Sequence, residues 1–279
     1  MELQIITLYF FADEILKANH FYDDPQAKMT TAEIITATLT AATFFCGNQR
    51  RAACFLKTHR YIPNFLSESR FNRKLHGIPQ DIWQKLFSVL AEYFKAKNVS
   101  NEYVVDSFPV PICDNIRIFR SKIFSGKQYR GYIASKKRFF FGIKVHLIAT
   151  TEQEPVEFLF APGSEADMKA FTNLDLDLGE GARIYADRAY NSYEYEDFLK
   201  DNKLSLVAER KANSKRPLEG CLRYLQSHWR KRIETTFSRI TTLFPKKIHA
   251  VTSKGFELKV FAFILAYSCN LFFTESVAR

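Results

Sequence analysis

The chain has 279 residues, 47% apolar and 25% charged, which is enough to build a core and excludes a disordered or low-complexity protein. Forty Lys and Arg against 30 Asp and Glu leave a net charge of +10, which points to a polyanionic partner; an anionic membrane surface or a ribosome fits the charge alone equally well, so its distribution must decide. Five scattered cysteines (Cys46, Cys54, Cys113, Cys221, Cys269), odd in number and without a C-x-x-C pair, argue against a disulfide framework or a zinc cluster and for a reducing compartment.

The first hundred residues read as helices. Glu2 is the first charge and Gln4 and Thr7 interrupt the apolar start, so no signal peptide is expected. Thr30-x-x-Glu33 has the form of a capping box opening a helix over Thr31 to Cys46, with Gly47 as its stop and a second helix from Asn48 to Leu56. Pro63 breaks the pattern. Ser67 is expected to cap a short helix, Glu68 to His76, and Asp81 a long one carrying Ile82, Leu86, Val89, Leu90 and Phe94 at helical spacing. Short helices at tight turns suggest a helix-turn-helix. Arg70, Arg73 and Lys74, with Asn72 and His76, suit a helix entering a DNA major groove, while a merely solvated face is the competing reading.

Past Lys97-Asn98 the hydrophobic period changes to two, which places the domain boundary near 98 to 101: an all-α domain over 1–98 and a second domain over 99–279. Tyr103, Val104 and Val105 form a core strand that delivers Asp106 at its carboxyl end, and Pro109 and Pro111 are expected to end the pairing. An Asp capping a turn is the bland alternative. Between Pro111 and Val145 lie Arg117, Arg120, Lys122, Lys127, Arg130, Lys136, Lys137, Arg138 and Lys144 against one acid, Asp114, with Tyr129 and Tyr132 interleaved. That density fits nucleic-acid backbone contacts with occasional stacking on a base.

Phe139 to Thr150 and Pro155 to Ala161 read as strands joined by a turn at Glu152-Gln153-Glu154. His146 reads first as a sheet residue; two residues from Lys144 on one face, it is a second-rank phosphate contact. Ser164-x-x-Asp167 fits a helix start, with Asp167 stabilised by the helix dipole. Ala182 to Tyr190 repeats the pattern of an apolar strand ending in an acid, here Asp187 followed by Arg188. A helix from Ser192 to Lys200 and a strand from Leu204 to Ala208 complete a mixed α/β sheet in which the strand ends bearing Asp106 and Asp187 share one crevice. Further on, Ile233, Phe237, Ile240 and Phe244 form the apolar stripe of a helix that carries Lys231 and, at i and i+4 on an adjoining face, Arg230 and Glu234, an exposed surface ion pair on the bland reading, amid Arg210, Lys211, Lys215, Arg216, Arg223 and Arg232. Val260 to Phe273 is shorter than the ~18 residues of a membrane span and is broken by Ser268 and Asn270, so it reads as a buried helix.

Two strand-end aspartates and a helix glutamate on a basic surface suit divalent-metal phosphodiester chemistry. Carboxylates are hard ligands for Mg²⁺, with Mn²⁺ as a substitute, and two such ions can activate an attacking hydroxyl and stabilise the leaving oxygen. With Asp106-Ser107-x-Pro109, Tyr185-Ala186-Asp187-Arg188-Ala189-Tyr190 and Arg230-x-x-x-Glu234 in order, the chain resembles the bacterial insertion-sequence transposases of the DDE superfamily over most of residues 100 to 273.

The resemblance implies a ribonuclease-H-like catalytic domain behind a helical DNA-end-binding domain, Asp106, Asp187 and Glu234 as metal ligands, and Arg230 beside them. It further implies cleavage and strand transfer on double-stranded DNA at terminal inverted repeats and target DNA, as a homodimer assembled on DNA ends. The location implied is bacterial cytoplasm, on the nucleoid, with no membrane role. Arg70, Arg73, Lys74, Lys136, Lys137, Arg138, Lys144, His146, Arg188 and Lys231 are the expected DNA contacts. Where relatives carry Tyr and Lys on the glutamate helix, this chain has Ser227 and Thr241, with Lys246 or Lys247 as conceivable substitutes. A metal-dependent nuclease of the same fold and a catalytically silent DNA-binding relative are the alternatives.

Overall fold

The computed structural model describes residues 1–114, 118, 121–133 and 136–277, and the chain forms two compact units. Arg117 and Arg120, two cations of the expected basic stretch, lie outside the described residues.

The first unit comprises Met1–Leu90, Arg239–Ile248 and Lys254–Arg279 and is helical. It contains α1 (Glu2–Ala18), α2 (Thr31–Phe44), α3 (Gln49–Thr58), α4 (Glu68–Gly77) and α5 (Gln80–Lys97) as far as Leu90. The capping box forms as the sequence requires: Glu33 N donates to Thr30 Oγ1 (3.2 Å) and Thr30 N to Glu33 Oε2 (2.7 Å). Gly47, at φ +75°, turns the chain after α2, and Asn48 Oδ1 accepts from Arg51 N (3.0 Å) to open α3. Two expected caps differ. Ser67 precedes α4 but its side chain makes no capping bond, and Asp81 lies inside the first turn of α5, where its charge still favours the helix N-terminus.

The last helix, α9 (Ser253–Val277), groups with these helices rather than with the sheet that residues 99–279 were expected to share. By length and composition it is apolar enough to cross a membrane, yet Val260, Phe263, Ile264, Leu265, Ala266 and Cys269 are all buried. Trp83 and Phe87 meet Phe261 edge-on at 6.2 and 6.4 Å, and Phe244 meets Phe263 at 4.8 Å. That packing accounts for a helix apolar on every side.

The second unit comprises Ala91–Ser238 and His249–Ser253 and holds a six-stranded sheet. Its strands are β1 (Glu102–Asp114), β2 (Arg130–Ile133), β3 (Arg138–Thr150), β4 (Pro155–Pro162), β5 (Arg183–Ala186) and β6 (Ser205–Ala208). The order is β2-β3-β1-β5-β6, with β4 also paired to β3. β1 runs antiparallel to β3 and parallel to β5, and β5 runs parallel to β6. Helices α6 (Asp167–Phe171), α7 (Tyr193–Asp201) and α8 (Gly220–Thr242) flank it, the last leaving this unit after Ser238. A mixed sheet with flanking helices and an N-terminal helical region is the ribonuclease-H-like arrangement.

β1 does not stop at its prolines: Pro109 pairs with Lys144 and Pro111 with Gly142. Two residues apart, they lack amides on one side of the strand only, and β5 leaves one side of β1 open after Val105. A bulge between Pro111 and Cys113 brings the strands so close that a Cβ on Gly142 would lie 2.3 Å from Val110 O, so only glycine fits there. Ser164 does not cap α6, which begins at Asp167 behind Ala166; its hydroxyl donates instead to Gln128 O (2.7 Å).

Candidate active site

The last rung of the β1–β5 ladder is Val105–Ala186, and the last rung of β5–β6 is Ala186–Ala208. The next residues are Asp106, Asp187 and Glu209, so three acids stand side by side where the parallel ladders stop; Asp187 and Glu209 follow the ends of β5 and β6, whereas Asp106 is not at the carboxyl end expected for it, because β1 runs on against β3 to Asp114. Glu209 N still donates to Ala186 O (3.1 Å), which holds the start of that loop to β5.

Helix α8 is fixed across these ends at two points. Gln226 Nε2, buried, donates to Ala186 O (2.9 Å), and Phe237 packs on Phe108 with ring centroids 4.7 Å apart. Ile233 and Phe237 supply the buried stripe. Between the two anchors Arg230 reaches the strand ends: Nη2 lies 3.2 Å from Asp187 Oδ2 and Nη1 lies 3.2 Å from Glu209 Oε2. Arg188 Nη2 binds the other oxygen of Glu209, and Arg188 N donates to Asp187 Oδ1.

Asp106 is the most enclosed of the acids. Burial pushes its carboxyl up to about 7; the hydrogen bond from Ser107 N and the charge of Arg230 oppose that, and Asp187 and Asp167 add to it. Behind it lies a polar network. Ser107 Oγ donates to Asp167 Oδ1 (3.0 Å), Lys144 Nζ binds Asp167 Oδ1 (2.9 Å) and Glu165 O (2.7 Å), and His146 Nδ1 lies 3.3 Å from the Tyr190 hydroxyl. Burial raises the Tyr190 phenol well above its usual value and lowers His146 to about 4, so both stay neutral at pH 7.

Among the expected site residues, Asp106, Asp187 and Arg230 come together. Glu234 lies one turn beyond Arg230 and is exposed, and among the described residues no three metal-ligating side chains gather into one group. Carboxylates without a cation between them repel, and Arg230 already neutralises Asp187. His146 is wholly buried and therefore has no surface to offer a phosphate, and Lys144 is engaged inward on Asp167. Lys136, Lys137, Arg138 and Lys231 are exposed; so is Arg188, although it is tied to Glu209. Tyr129 stacks on Phe124 at 4.4 Å, and Tyr132, 52% exposed, packs against Phe139 at 5.0 Å. In the helical unit Arg70 and Arg73 are exposed, and Lys74 is half-buried with Nζ on Met29 O (3.3 Å).

Glu209, Asp167 and Tyr190 are the site neighbours that sequence reasoning did not select. Glu209 had a readable signal, since Leu204 to Ala208 followed by Glu209 is a third apolar strand ending in an acid.

Residues 96–249 match the family model described as a transposase DDE domain. The chain belongs to this family of DDE transposases. No curated protein and no solved structure matches it. The matched span opens at the end of α5, includes the six strands of the sheet and closes just after α8, so it contains Asp106, Asp167, Asp187, Glu209 and Glu234. For this transposase the match implies action on DNA, and the family typically uses a divalent metal.

Proposed function

We propose that this transposase cuts DNA at the ends of an insertion sequence and joins those ends to target DNA, using Asp106, Asp187 and Glu234 as ligands for Mg²⁺, or for Mn²⁺ in its place. The observation that carries the reading is the placement of Asp106 and Asp187 immediately past the shared rung of two parallel strands. The donor set fits a divalent cation. Asp106 is a desolvated carboxyl facing Asp187 and Asp167, and a hard cation among those oxygens would relieve both the burial cost and the mutual repulsion. Glu234 would join from α8, which is anchored to the sheet on either side of it.

When bound, the metal would acidify the attacking water or 3′-hydroxyl and neutralise charge on the phosphate. The protein does the positioning. The Gln226 and Phe237 anchors hold α8 over the strand ends, and Ser107 N fixes one oxygen of Asp106. Arg230, 35% exposed and bound to Asp187 through Nη2 and to Glu209 through Nη1, keeps a second N–H on each of those nitrogens for a phosphate oxygen of the reacting strand. Lys136, Lys137, Arg138 and Lys231, with Arg188, supply backbone contacts to the duplex, and α4 with Arg70, Arg73 and Lys74 reads the terminal repeats in a helix-turn-helix manner. Function on two DNA ends calls for a homodimer assembled on them.

The test is incubation of purified protein with duplex DNA carrying candidate ends and Mg²⁺, with Asp106→Asn alongside. Cleaved ends covalently joined to target, absent with Asp106→Asn, support the proposal. Cleavage without joining would make the protein a nuclease, and DNA binding without either would make it a silent relative.

A further inference from the structure

Glu209 stands beside Asp187 on the neighbouring strand end, and the two share one guanidinium: Arg230 gives Nη2 to Asp187 and Nη1 to Glu209, each at 3.2 Å. Glu209 is itself held, by its amide on Ala186 O and by Arg188 on its second oxygen. Arg188 directly follows Asp187 and donates its backbone N to Asp187 Oδ1, so the chain of two acids and two cations closes through the backbone. We propose that Glu209 is a positioning residue that anchors Arg230 in the crevice, so that Asp187 can exchange its share of the guanidinium for a divalent cation while Arg230 stays in place. This rests on the proposed metal role of Asp187.

The physical argument is a competition. A cation entering at Asp187 must displace Arg230 Nη2, and a planar fork satisfied on its other arm by Glu209 gives up one contact without leaving the site. Without Glu209, Asp187 is the acid left in ion-pair contact with the guanidinium among the described residues. The ion pair to be displaced then strengthens, and the freed guanidinium has no second anchor. Glu209 is thus expected to matter for metal affinity only through Arg230.

The experiment measures Mn²⁺ binding by calorimetry on four proteins: wild type, Glu209→Gln, Arg230→Gln and the double variant, with thermal unfolding as a check on folding. Glu209→Gln is expected to weaken Mn²⁺ about 5-fold in the wild-type background and less than about 2-fold in Arg230→Gln, the non-additivity of residues sharing one ion-pair network. The same factor in both backgrounds, the result for a direct ligand or a general charge effect, would overturn the proposal, as would no change in either. Glu209→Asp, which keeps the charge, should recover part of the loss; failure to do so with an intact fold counts against an anchoring role. Absence of Mn²⁺ binding by the wild type, or its persistence in Asp187→Asn, would overturn the metal reading itself and is distinguishable from an uncoupled Glu209.

Discussion

Asp106 and Asp187 are the first residues beyond the last rung shared by β1 and β5, so the backbone ladder sets their spacing and only their side-chain torsions remain free. Carboxylates on a rigid ladder are preorganised, and with the metal role proposed for them, removing either charge is expected to abolish the chemistry without disturbing DNA affinity. Asp106→Asn and Asp187→Asn should each lower end cleavage on the order of 10²–10³-fold or more, the scale of losing a preorganised electrostatic contact to the transition state. Gel-shift affinity for the same duplex should stay within about 3-fold, since neither change removes a phosphate-neutralising cation. Wild-type cleavage in either variant removes that residue from the catalytic set.

The carboxyl of Asp106, raised to about 7 by burial, has a thermodynamic signature. The unfolded chain releases this proton near pH 4 and the native protein near 7, so across that window the native state binds more protons and stability falls as pH rises. Asparagine carries no such cost. Metal-free Asp106→Asn should therefore gain on wild type between pH 5 and 8, by on the order of 1–2 kcal/mol at the upper end, less than the whole shift because the carboxyl is not fully enclosed. Glu157, also raised to about 7 by burial, is common to both proteins and cancels in the comparison. A gap in melting temperature that does not change with pH contradicts this.

Much of the catalytic unit was legible because its signals are local. An apolar run followed by Asp reads as a core strand at both Val104-Val105-Asp106 and Tyr185-Ala186-Asp187, though only β5 ends there while β1 runs on to Asp114, and Ile233 with Phe237 reads as a helix stripe. The turn at Glu152-Gln153-Glu154 likewise forms, with Gln153 at φ +72°. What was not legible depends on partners distant in sequence. Pro109 and Pro111 look like strand breakers until β5 is known to end at Ala186, and His146 looks available until its burial is seen. Arg230 looks like the i,i+4 partner of Glu234 until the strand ends offer it Asp187 and Glu209.

Lys97 forms a 2.8 Å ion pair with Glu154, whose side chain is 2% exposed and also accepts from Thr150 Oγ1 at 2.7 Å. Removing the cation leaves a buried acid without its counter-charge. Lys97→Ala is expected to cost on the order of 2 kcal/mol, below the 3–5 of a fully enclosed pair because Lys97 is itself partly open to water. Lys97→Ala with Glu154→Gln should recover part of it. Urea denaturation of the three proteins measures both, and a loss under ~0.5 kcal/mol would show the pair to be solvent-screened.

Two groups of exposed cations are expected to act on DNA differently. Arg70→Ala and Arg73→Ala on α4 should lower affinity for the transposon end, and a side chain that touches a base edge should also relax specificity, by about 1–3 kcal/mol per contact. Lys136→Ala and Lys137→Ala should weaken binding to all duplexes alike, each reducing the salt-dependence slope by about 1. Salt titrations on end-containing and scrambled duplexes separate the two. If Arg70→Ala and Arg73→Ala behave as wild type on both duplexes, α4 is a solvated face.

Arg230→Lys distinguishes a chemical from a structural role for this cation. The guanidinium spans Asp187 and Glu209 with two nitrogens at 3.2 Å, and each of those nitrogens carries a second N–H. A lysine ammonium is a single point that cannot hold both acids in that fork and still offer a third donor to a phosphate. At 35% exposure its ion pairs are screened, so their loss should change stability by less than about 1 kcal/mol and barely move the melting temperature. Strand transfer, by contrast, depends on the reacting phosphate being held within a fraction of an ångström. A misplacement near 1 Å costs about 10²-fold, so the joining rate should fall 10- to 100-fold, on the order of that penalty, while end binding persists. Near-normal strand transfer by Arg230→Lys, or a loss that follows melting temperature across other substitutions at 230, would assign Arg230 to holding the strand ends together rather than to the phosphate.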